Sequence, residues 1–420
     1  MVSERNNNKV ISIVAIVTAL SLLGDSMLYI ILPLYWEHAG LDSIWQVGIL
    51  LSINRFIRLP INPLVGWIYK KISLRTGLTI ALTIGAITTL GYGFFNGFIA
   101  WVILRGIWGI AWSFFRMGGL TSVAYYAEKG HRGKAMGTYN GLSRLGSLFG
   151  MILGGIFVPI VGLDIVASIF GVLTLVGIPI ILKTLKQDYT DQRFTDSDTS
   201  KHFTKPSYMK YKVILISISG FFITLLIQGV FTSTLSSVIE NHYGIHVSFF
   251  DLVLSAALLS GVIQAVRWIW EPFLSRSVGM YSDGPSGRVP LYILSLTYSG
   301  LLFGFISFDF PLFFWIIVIL LVMAGATAIS TLTDAIALDT ASKSNVVSFL
   351  TIYSIIQDVG AALGPFISYM VIELNHGYTY LYWGGTAVLI LIAFVWTGFY
   401  FYENSYLVKP YRAKNTSKSD

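Results

Sequence analysis

Ten ionisable side chains stand inside stretches of sequence that are otherwise apolar: Arg55, Arg58, Arg105, Arg116, Arg144 and Arg267, with Asp25, Glu271, Asp334 and Asp358. A charge in the centre of a bilayer costs at least ~2.5–3.5 kcal/mol, so such a residue is expected to face a protein interior and to work there. Arginine stays charged and presents a planar fork of donors, so it holds carboxylates or phosphates but does not carry a proton. A carboxyl group can do both. With six cations against four acids, two positive charges are left for an anionic ligand.

Helical spacing groups these residues into stripes. Arg55, Arg58 and Asn62 share one face of a segment, and Arg105, Gly109, Trp112 and Arg116 share another. Asn140, Arg144 and Ser147 make a third. Later in the chain, Gln264, Arg267 and Glu271 fall together, as do Ser330, Thr331 and Asp334, and Ser354, Gln357 and Asp358. Most of the arginines lie in the first half and most of the acids in the second, a polarity suited to a solute with a carboxylate-rich end and an amine end. Asp25, in SLLGDSMLYIILP with Tyr29 one turn on, is the residue best placed for proton exchange. Desolvation there favours its neutral form and a nearby arginine its charged form, two opposed influences. Structural alternatives stand beside these readings: an ion pair of Asp25 with Arg55 or Arg58, an Arg267–Glu271 pair at i and i+4, and a bridge between Arg144 and Asp358.

Long helices must position these groups. The chain has 420 residues, 55% hydrophobic and 12% charged, with a mean hydropathy of +0.70. That charge is about half the ~25% of a soluble domain, which excludes a globular enzyme. A spanning helix needs ~20 apolar residues. Such runs are expected at 10–36, 46–69, 76–95, 98–126, 136–160, 165–183, 212–238, 250–274, 289–308, 311–338, 347–372 and 379–402, twelve in all. They are continuous rather than alternating, so a barrel is excluded. Met1 to Lys9 is too polar, and the run after it too long, for a cleaved signal peptide.

Of the 28 Lys and Arg residues, the 22 other than the six arginines above fall in alternate loops and at the two ends, and the opposite loops hold none. The positive-inside rule then places both termini in the cytoplasm, in a multi-pass protein of the cell membrane. The net charge of +7 is therefore topology and not a nucleic-acid patch. A mixed-charge stretch divides the chain into an N-terminal six-helix bundle (1–183), a cytoplasmic linker (184–211), a C-terminal six-helix bundle (212–402) and a cytoplasmic tail (403–420). The halves echo each other. Tyr139, Arg144, Gly146 and Gly150 align with Tyr353, Asp358, Gly360 and Gly364 at a constant offset of 214, and Arg55 and Pro60 have the same internal spacing as Arg267 and Pro272. The fold class read from this is an all-α membrane protein of twelve transmembrane helices in two pseudo-symmetric six-helix bundles.

These residues carry a resemblance to the major facilitator superfamily over essentially the full chain. Gly279-Met-Tyr-Ser-Asp283-Gly-Pro-Ser-Gly287-Arg288 resembles the family's Gly-x-x-x-Asp-Arg-x-Gly-Arg loop with one residue extra, and Arg132-Gly-Lys-Ala-Met-Gly137 is a common facilitator sequence. Arg105-x-x-x-Gly109 resembles the membrane arginine motif of proton-coupled members. Gly146-x-x-x-Gly150-x-x-x-Gly154-Gly155 resembles the glycine-rich antiporter motif, with Met151 where proline is expected. The loop after the second span keeps Gly66 but has Lys70 and Ser73 where the family has aspartate and glycine. The chain also looks somewhat like bacterial metallophore exporters. The resemblance implies a proton-coupled drug or metabolite antiporter. Asp25, Arg105, Glu271, Asp334 and Asp358 would couple protons, and Gly66, Asp283, Gly287 and Arg288 would form gating loops. Solute ligands would come from Arg55, Arg58, Asn62, Trp112, Arg116, Asn140, Arg144, Gln264, Arg267 and Gln357.

The expected activity is export of a small anionic or zwitterionic metabolite by alternating access. Multidrug efflux, import of an organic anion and a transport-incompetent receptor are the alternatives. No cofactor is expected: the chain has no cysteine and no Gly-x-x-x-x-Gly-Lys-[Ser/Thr] loop. His242-x-x-x-His246 has a zinc-like spacing but no third ligand nearby, so no metal site is expected. The expected partners are the solute, protons and membrane lipid, with no nucleic acid, and the chain is expected to act as a monomer.

Overall fold

A computed structural model describes residues 2–127, 132–185, 207–249, 252–283, 287–341 and 346–416. Its first six helices are α1 (Val2–Ile31), α2 (Trp45–Tyr69), α3 (Leu74–Phe94), α4 (Phe98–Tyr126), α5 (Arg132–Val161) and α6 (Leu163–Thr184). Then α7 (Ser207–Ile223) runs through a π-helical stretch (Thr224–Phe231) into α8 (Thr232–Tyr243), one continuous span. A hairpin of β1 (His246–Phe249) and β2 (Leu252–Ser255) precedes α9 (Ala256–Ser282), α10 (Arg288–Phe305), α11 (Leu312–Ala341), α12 (Val346–Ile372) and α13 (Gly377–Thr416). Among the described residues the protein is nearly all helical, with nine helices long and apolar enough to cross a membrane, consistent with the expected membrane architecture of twelve helices. The central part of the linker, 186–206, lies outside the described residues.

Two expected boundaries are corrected. The first span was read to residue 36, but α1 stops at Ile31. Leu32 precedes Pro33, and a residue before proline is pushed out of the α region. The eighth span was read from 250, but helix begins at Ala256. The residues before it pair as an antiparallel hairpin, Val247 opposite Leu254, which suits their β-branched and aromatic content. In addition, α13 continues past residue 402 into the expected tail.

The described chain falls into two compact units. The first contains Met1–Ser197, Gly229–Trp268 and Ala361–Glu373. Its helices meet at glycines. A Cβ at Gly146 would overlap the Ala19 carbonyl, and one at Gly150 the Leu23 carbonyl, so these glycines let α5 lie directly on α1. A Cβ at Gly155 would stand 2.8 Å from the Ala257 carbonyl oxygen, and one at Gly261 2.7 Å from that of Met151, which closes α5 on α9. Gly48 of α2 approaches the Pro365 carbonyl of α12 in the same way. Such small-residue contacts drive helix association where lipid is as apolar as the side chains. Next to them, Ser43 donates to the Glu373 carboxylate, and the Tyr369 hydroxyl donates to the Ser233 carbonyl at 2.6 Å.

The connection between α1 and α2 is held by a positive-φ glycine. Gly40 has φ +73°, and a Cβ there would lie 2.8 Å from the Gly97 nitrogen, which itself donates to the Ala39 carbonyl at 2.8 Å. Beneath it, Tyr92 stacks on Trp101 with centroids 4.8 Å apart, both fully buried.

The second unit contains Asp198–Gln228, Ile269–Gly360 and Leu374–Asp420. Trp396 sits edge-on to Tyr292 and donates to the Ser219 hydroxyl at 2.8 Å. Here the repeat becomes visible in packing. Gly360 of α12, the equivalent of Gly146, faces the Phe221 carbonyl of α7, as Gly146 faces α1.

Candidate functional site

The centre of the first unit is an ion pair between Asp25 of α1 and Arg105 of α4. Arg105 is completely buried, and Asp25 is 13% exposed. The arginine is held by both ends: its Nη1 donates to the Asp25 carboxylate and its Nε donates to the Leu50 carbonyl at 2.9 Å. The glycine one turn later explains the spacing of Arg105-x-x-x-Gly109. A Cβ at Gly109 would meet the Asn54 carbonyl oxygen at 2.5 Å, so only glycine lets α4 approach α2 closely enough for Arg105 to reach Leu50. Asn54 adds a contact of its own, its Nδ2 donating to Asp25 at 3.4 Å.

Arg55 and Arg58, the alternative partners expected for Asp25, follow Asn54 on α2 and make further hydrogen bonds nearby. One residue rotates a helix by about 100°, so Asn54 turns toward Asp25 while Arg55 turns toward Tyr29. Arg55 Nε donates to the Tyr29 hydroxyl at 3.3 Å, and Arg58 Nε donates to the Asn54 carbonyl at 3.1 Å. The ion pair that the structure records at Asp25 is with Arg105, a partner the sequence reading did not propose. Asn62 and Gly66 continue the α2 face beyond Arg58, and Trp112 and Arg116 are half-buried further along α4.

Buried polar atoms surround the pair. Arg105 Nη2, the Tyr92 hydroxyl, Asn54 Oδ1 and the hydroxyls of Ser21, Ser52 and Thr89 have no protein hydrogen-bond partner among the described residues. They come from α1, α2, α3 and α4. Groups of this kind are ordinarily satisfied by internal water. Elsewhere in this unit, Arg144 is exposed on α5 with its guanidinium 4.9 Å from the Trp268 ring, a cation–π distance, and Asn140 is exposed one turn before it. Arg267 lies 5.9 Å from the same ring, and buried Gln264 donates to the Thr232 carbonyl at 3.3 Å.

In the second unit, the structure joins two predicted residues through one that sequence reasoning did not place in the site. Asp334 accepts from Gln357 Nε2 at 3.2 Å and from the Tyr353 hydroxyl at 3.4 Å, and Gln357 also donates to that hydroxyl at 3.1 Å. The Gln357 carbonyl accepts from Thr224 at 3.0 Å, where the π-helical stretch begins. Glu271 and Asp358 are half-buried on α9 and α12. At one end of this unit, Arg288 bridges Asp283 at 2.7 Å and Asp339 at 3.3 Å. Gly287 begins α10 with φ +73°, a conformation glycine adopts without strain.

Three site residues were missed: Asn54, Tyr353 and Trp268. An amide in the middle of an apolar run was the signal for Asn54. Tyr353 was visible in the repeat, opposite Tyr139. For Trp268 only its position next to Arg267 pointed to a role.

Over 174 residues the chain is 25% identical to the probable vesicular acetylcholine transporter-A of Danio rerio, covering 36% of this chain and 34% of that one. Over 122 residues it is 30% identical to the chromaffin granule amine transporter of Homo sapiens, covering 29% and 23%. The chain thus spans about a third or less of the length of these relatives. A POT family transporter in complex with 5-aminolevulinic acid has the same fold, with a TM-score of 0.75 at 13% identity over 93% of this chain and 95% of that one. Residues 14–281 match the Major Facilitator Superfamily profile, so the chain belongs to that superfamily and is a multi-pass membrane protein.

Proposed function

We propose that this transporter exchanges protons for a small anionic or zwitterionic metabolite and works as an exporter in the cell membrane. The observation that carries the reading is the buried Asp25–Arg105 pair: one group that can take a proton, beside one that cannot. Protonating Asp25 neutralises its carboxylate and loosens the ion pair while Arg105 stays charged, and the bundle can then rearrange. Asp334, with Tyr353 and Gln357, is a second candidate proton site, with Glu271 and Asp358 in reserve. Arg55, Arg58, Asn62, Trp112, Arg116, Asn140, Arg144, Gln264, Arg267 and Gln357 are the proposed solute ligands. The ion pairs of Arg288, with Gly66 and Gly287, are the proposed gating elements. The functional unit is a monomer of two six-helix bundles joined by the linker.

The choice of a zwitterion over a simple anion has separate support. The named relatives carry acetylcholine and amines, which argues for a cationic end on the solute. The arginine excess argues for an anionic one. A metallophore-like molecule with amine and carboxylate ends satisfies both. Export of a purely cationic amine is the second reading, favoured by those relatives alone.

Metabolite profiling of a deletion strain tests the direction and the class. An anionic or zwitterionic metabolite should accumulate inside the cells; depletion inside with excess in the medium would mean import. For that metabolite, Arg55→Ala should raise the half-saturation concentration by about ten- to a hundredfold, the worth of one charge-assisted hydrogen bond. For acetylcholine, a permanent cation, the change should be smaller. Equal losses for both would remove Arg55 from the solute site.

The proposed orientation is tested without background labelling, because the chain has no cysteine. His38→Cys, an exposed position before α2, should react with an impermeant maleimide added to intact cells, and Ser200→Cys in the linker should not. The reverse pattern would invert the topology.

A further inference from the structure

A seam of buried hydroxyls runs between α1, α3 and α4, beside the Asp25–Arg105 pair. Along it α1 and α3 lie side by side. A Cβ at Gly85 of α3 would stand 2.7 Å from the Ser21 hydroxyl of α1, and one at Gly24 of α1 would stand 3.1 Å from the Thr89 hydroxyl of α3. Each glycine thus seats a hydroxyl of the neighbouring helix against its own backbone, Ser21 one turn before Asp25 and Thr89 against the residue next to it. Close to one turn further along α3, the Tyr92 ring is fixed by its stack on Trp101, whose Nε1 donates to the Phe95 carbonyl at 2.9 Å. Tyr92 stands near enough to the pair to feel the charges of both Arg105 and Asp25. Ser21, Thr89, Tyr92 and Arg105 are none of them more than 1% exposed. Their three hydroxyls and Arg105 Nη2 have no protein hydrogen-bond partner among the described residues. From Gly85 to Tyr92 the seam covers about 10 Å of α3, at ~1.5 Å per residue. Just beyond Tyr92 the chain reaches the surface, where Phe94, Phe95 and Asn96 are exposed.

We propose that this seam binds a file of internal water that brings protons to Asp25 from the connection between α3 and α4, by a route separate from that of the solute. The proposal rests on the reading of Asp25 as the proton site. Water is the ligand the seam fits. Asp25 and Arg105 balance each other, so no net charge is left to hold a free ion. A buried water takes two to four polar partners, and hydroxyl groups both donate and accept, which is what a relay requires. Each water or hydroxyl takes a proton on a lone pair and passes its own onward. One hydronium at the surface becomes water, and the Asp25 carboxylate becomes a carboxylic acid. Arg105 stays charged throughout and orients the file through Nη2. The separation of routes follows from the placement of residues: none of the proposed solute ligands lies on α1 or α3. A solute could then occupy its own site without blocking the proton, and a proton could arrive without passing the solute.

Two measurements on the full-length protein test it. The first reads water alone, by brief X-ray radiolysis in nanodiscs followed by mass spectrometry, since radicals formed from bound water hydroxylate the rings beside it. Tyr92 should be labelled despite its burial. Tyr369, equally buried but with its hydroxyl given to the Ser233 carbonyl at 2.6 Å, should not. Thr89→Val, which keeps the shape and removes one hydroxyl, should weaken the label on Tyr92. The second measurement is flux in proteoliposomes. Thr89→Val and Tyr92→Phe should each slow transport driven by a pH gradient about two- to tenfold, the worth of one neutral hydrogen bond, and leave solute-for-solute exchange unchanged. A Tyr92 as silent as Tyr369 would overturn the proposal. So would full pH-driven rates in both variants, or an equal loss of exchange, which would mark the hydroxyls as packing. Absence of pH-driven transport in the unaltered protein would instead overturn the proton reading of Asp25 itself, and with it the relay, even where Tyr92 is labelled.

Discussion

Asp25→Asn is expected to reduce transport driven by a pH gradient to background while solute-for-solute exchange stays measurable. The asparagine keeps the size of the side chain and its contact with Asn54, but it carries no proton and no charge. Arg105 then faces a neutral group in a completely buried position. A buried ion left without its partner typically costs ~3–5 kcal/mol, so a fall in thermal stability should accompany the loss. Measuring uptake into proteoliposomes across a range of internal and external pH separates the two effects. If the asparagine variant folds, exchanges solute and still responds to pH as the unaltered protein does, the proton is not carried at Asp25.

Removing the other partner should be at least as damaging, for a different reason. Arg105→Ala deletes the donor to the Leu50 carbonyl as well as the counter-ion of Asp25, so α4 loses a link to α2 and one to α1 together. Asp25 is left a buried carboxylate without its counter-ion, and the charge pair that the transport cycle is proposed to open and close no longer exists. Transport should disappear at neutral pH, again with a stability loss of about 3–5 kcal/mol. The double variant Asp25→Asn with Arg105→Gln should recover much of that stability, because no unpaired charge remains, yet recover none of the pH-driven transport. Thermal unfolding and flux on the same preparations decide it. Recovery of both in the double variant would make the pair structural.

Much of this arrangement was legible in the residues. Long apolar runs read as spans because a bilayer tolerates no other backbone than helix or closed barrel. The glycines of α5 and α12 were readable as packing surfaces, since a repeat at a fixed offset placed Gly146 and Gly360 in equivalent positions, and both press on a carbonyl of the helix that opens their half. What could not be read was which charge meets which. The sequence offered Arg55 or Arg58 as partners for Asp25; that Arg105 pairs with it depends on the rotation of α2 and on how closely Gly109 lets α4 approach. Neither is a property of local sequence. The hairpin before α9 was missed because a short apolar run of β-branched residues does not distinguish strand from helix by period alone. The π-helical stretch is invisible for a similar reason: its Gly229 packs on Gly364 and its Thr224 reaches the Gln357 carbonyl, contacts made by a segment more than a hundred residues away.

The central claim, proton-coupled transport of a small anionic or zwitterionic metabolite, is tested most directly without choosing the solute in advance. Purified protein in proteoliposomes with an acidic interior is incubated in a cellular metabolite extract, and the lumen is then analysed by liquid chromatography and mass spectrometry. The account predicts that one or a few small anionic or zwitterionic metabolites accumulate inside, that collapsing the pH gradient with an ionophore abolishes the accumulation, and that Asp25→Asn vesicles show none. Accumulation that survives collapse of the gradient, or no accumulation beyond that of protein-free vesicles, would contradict it.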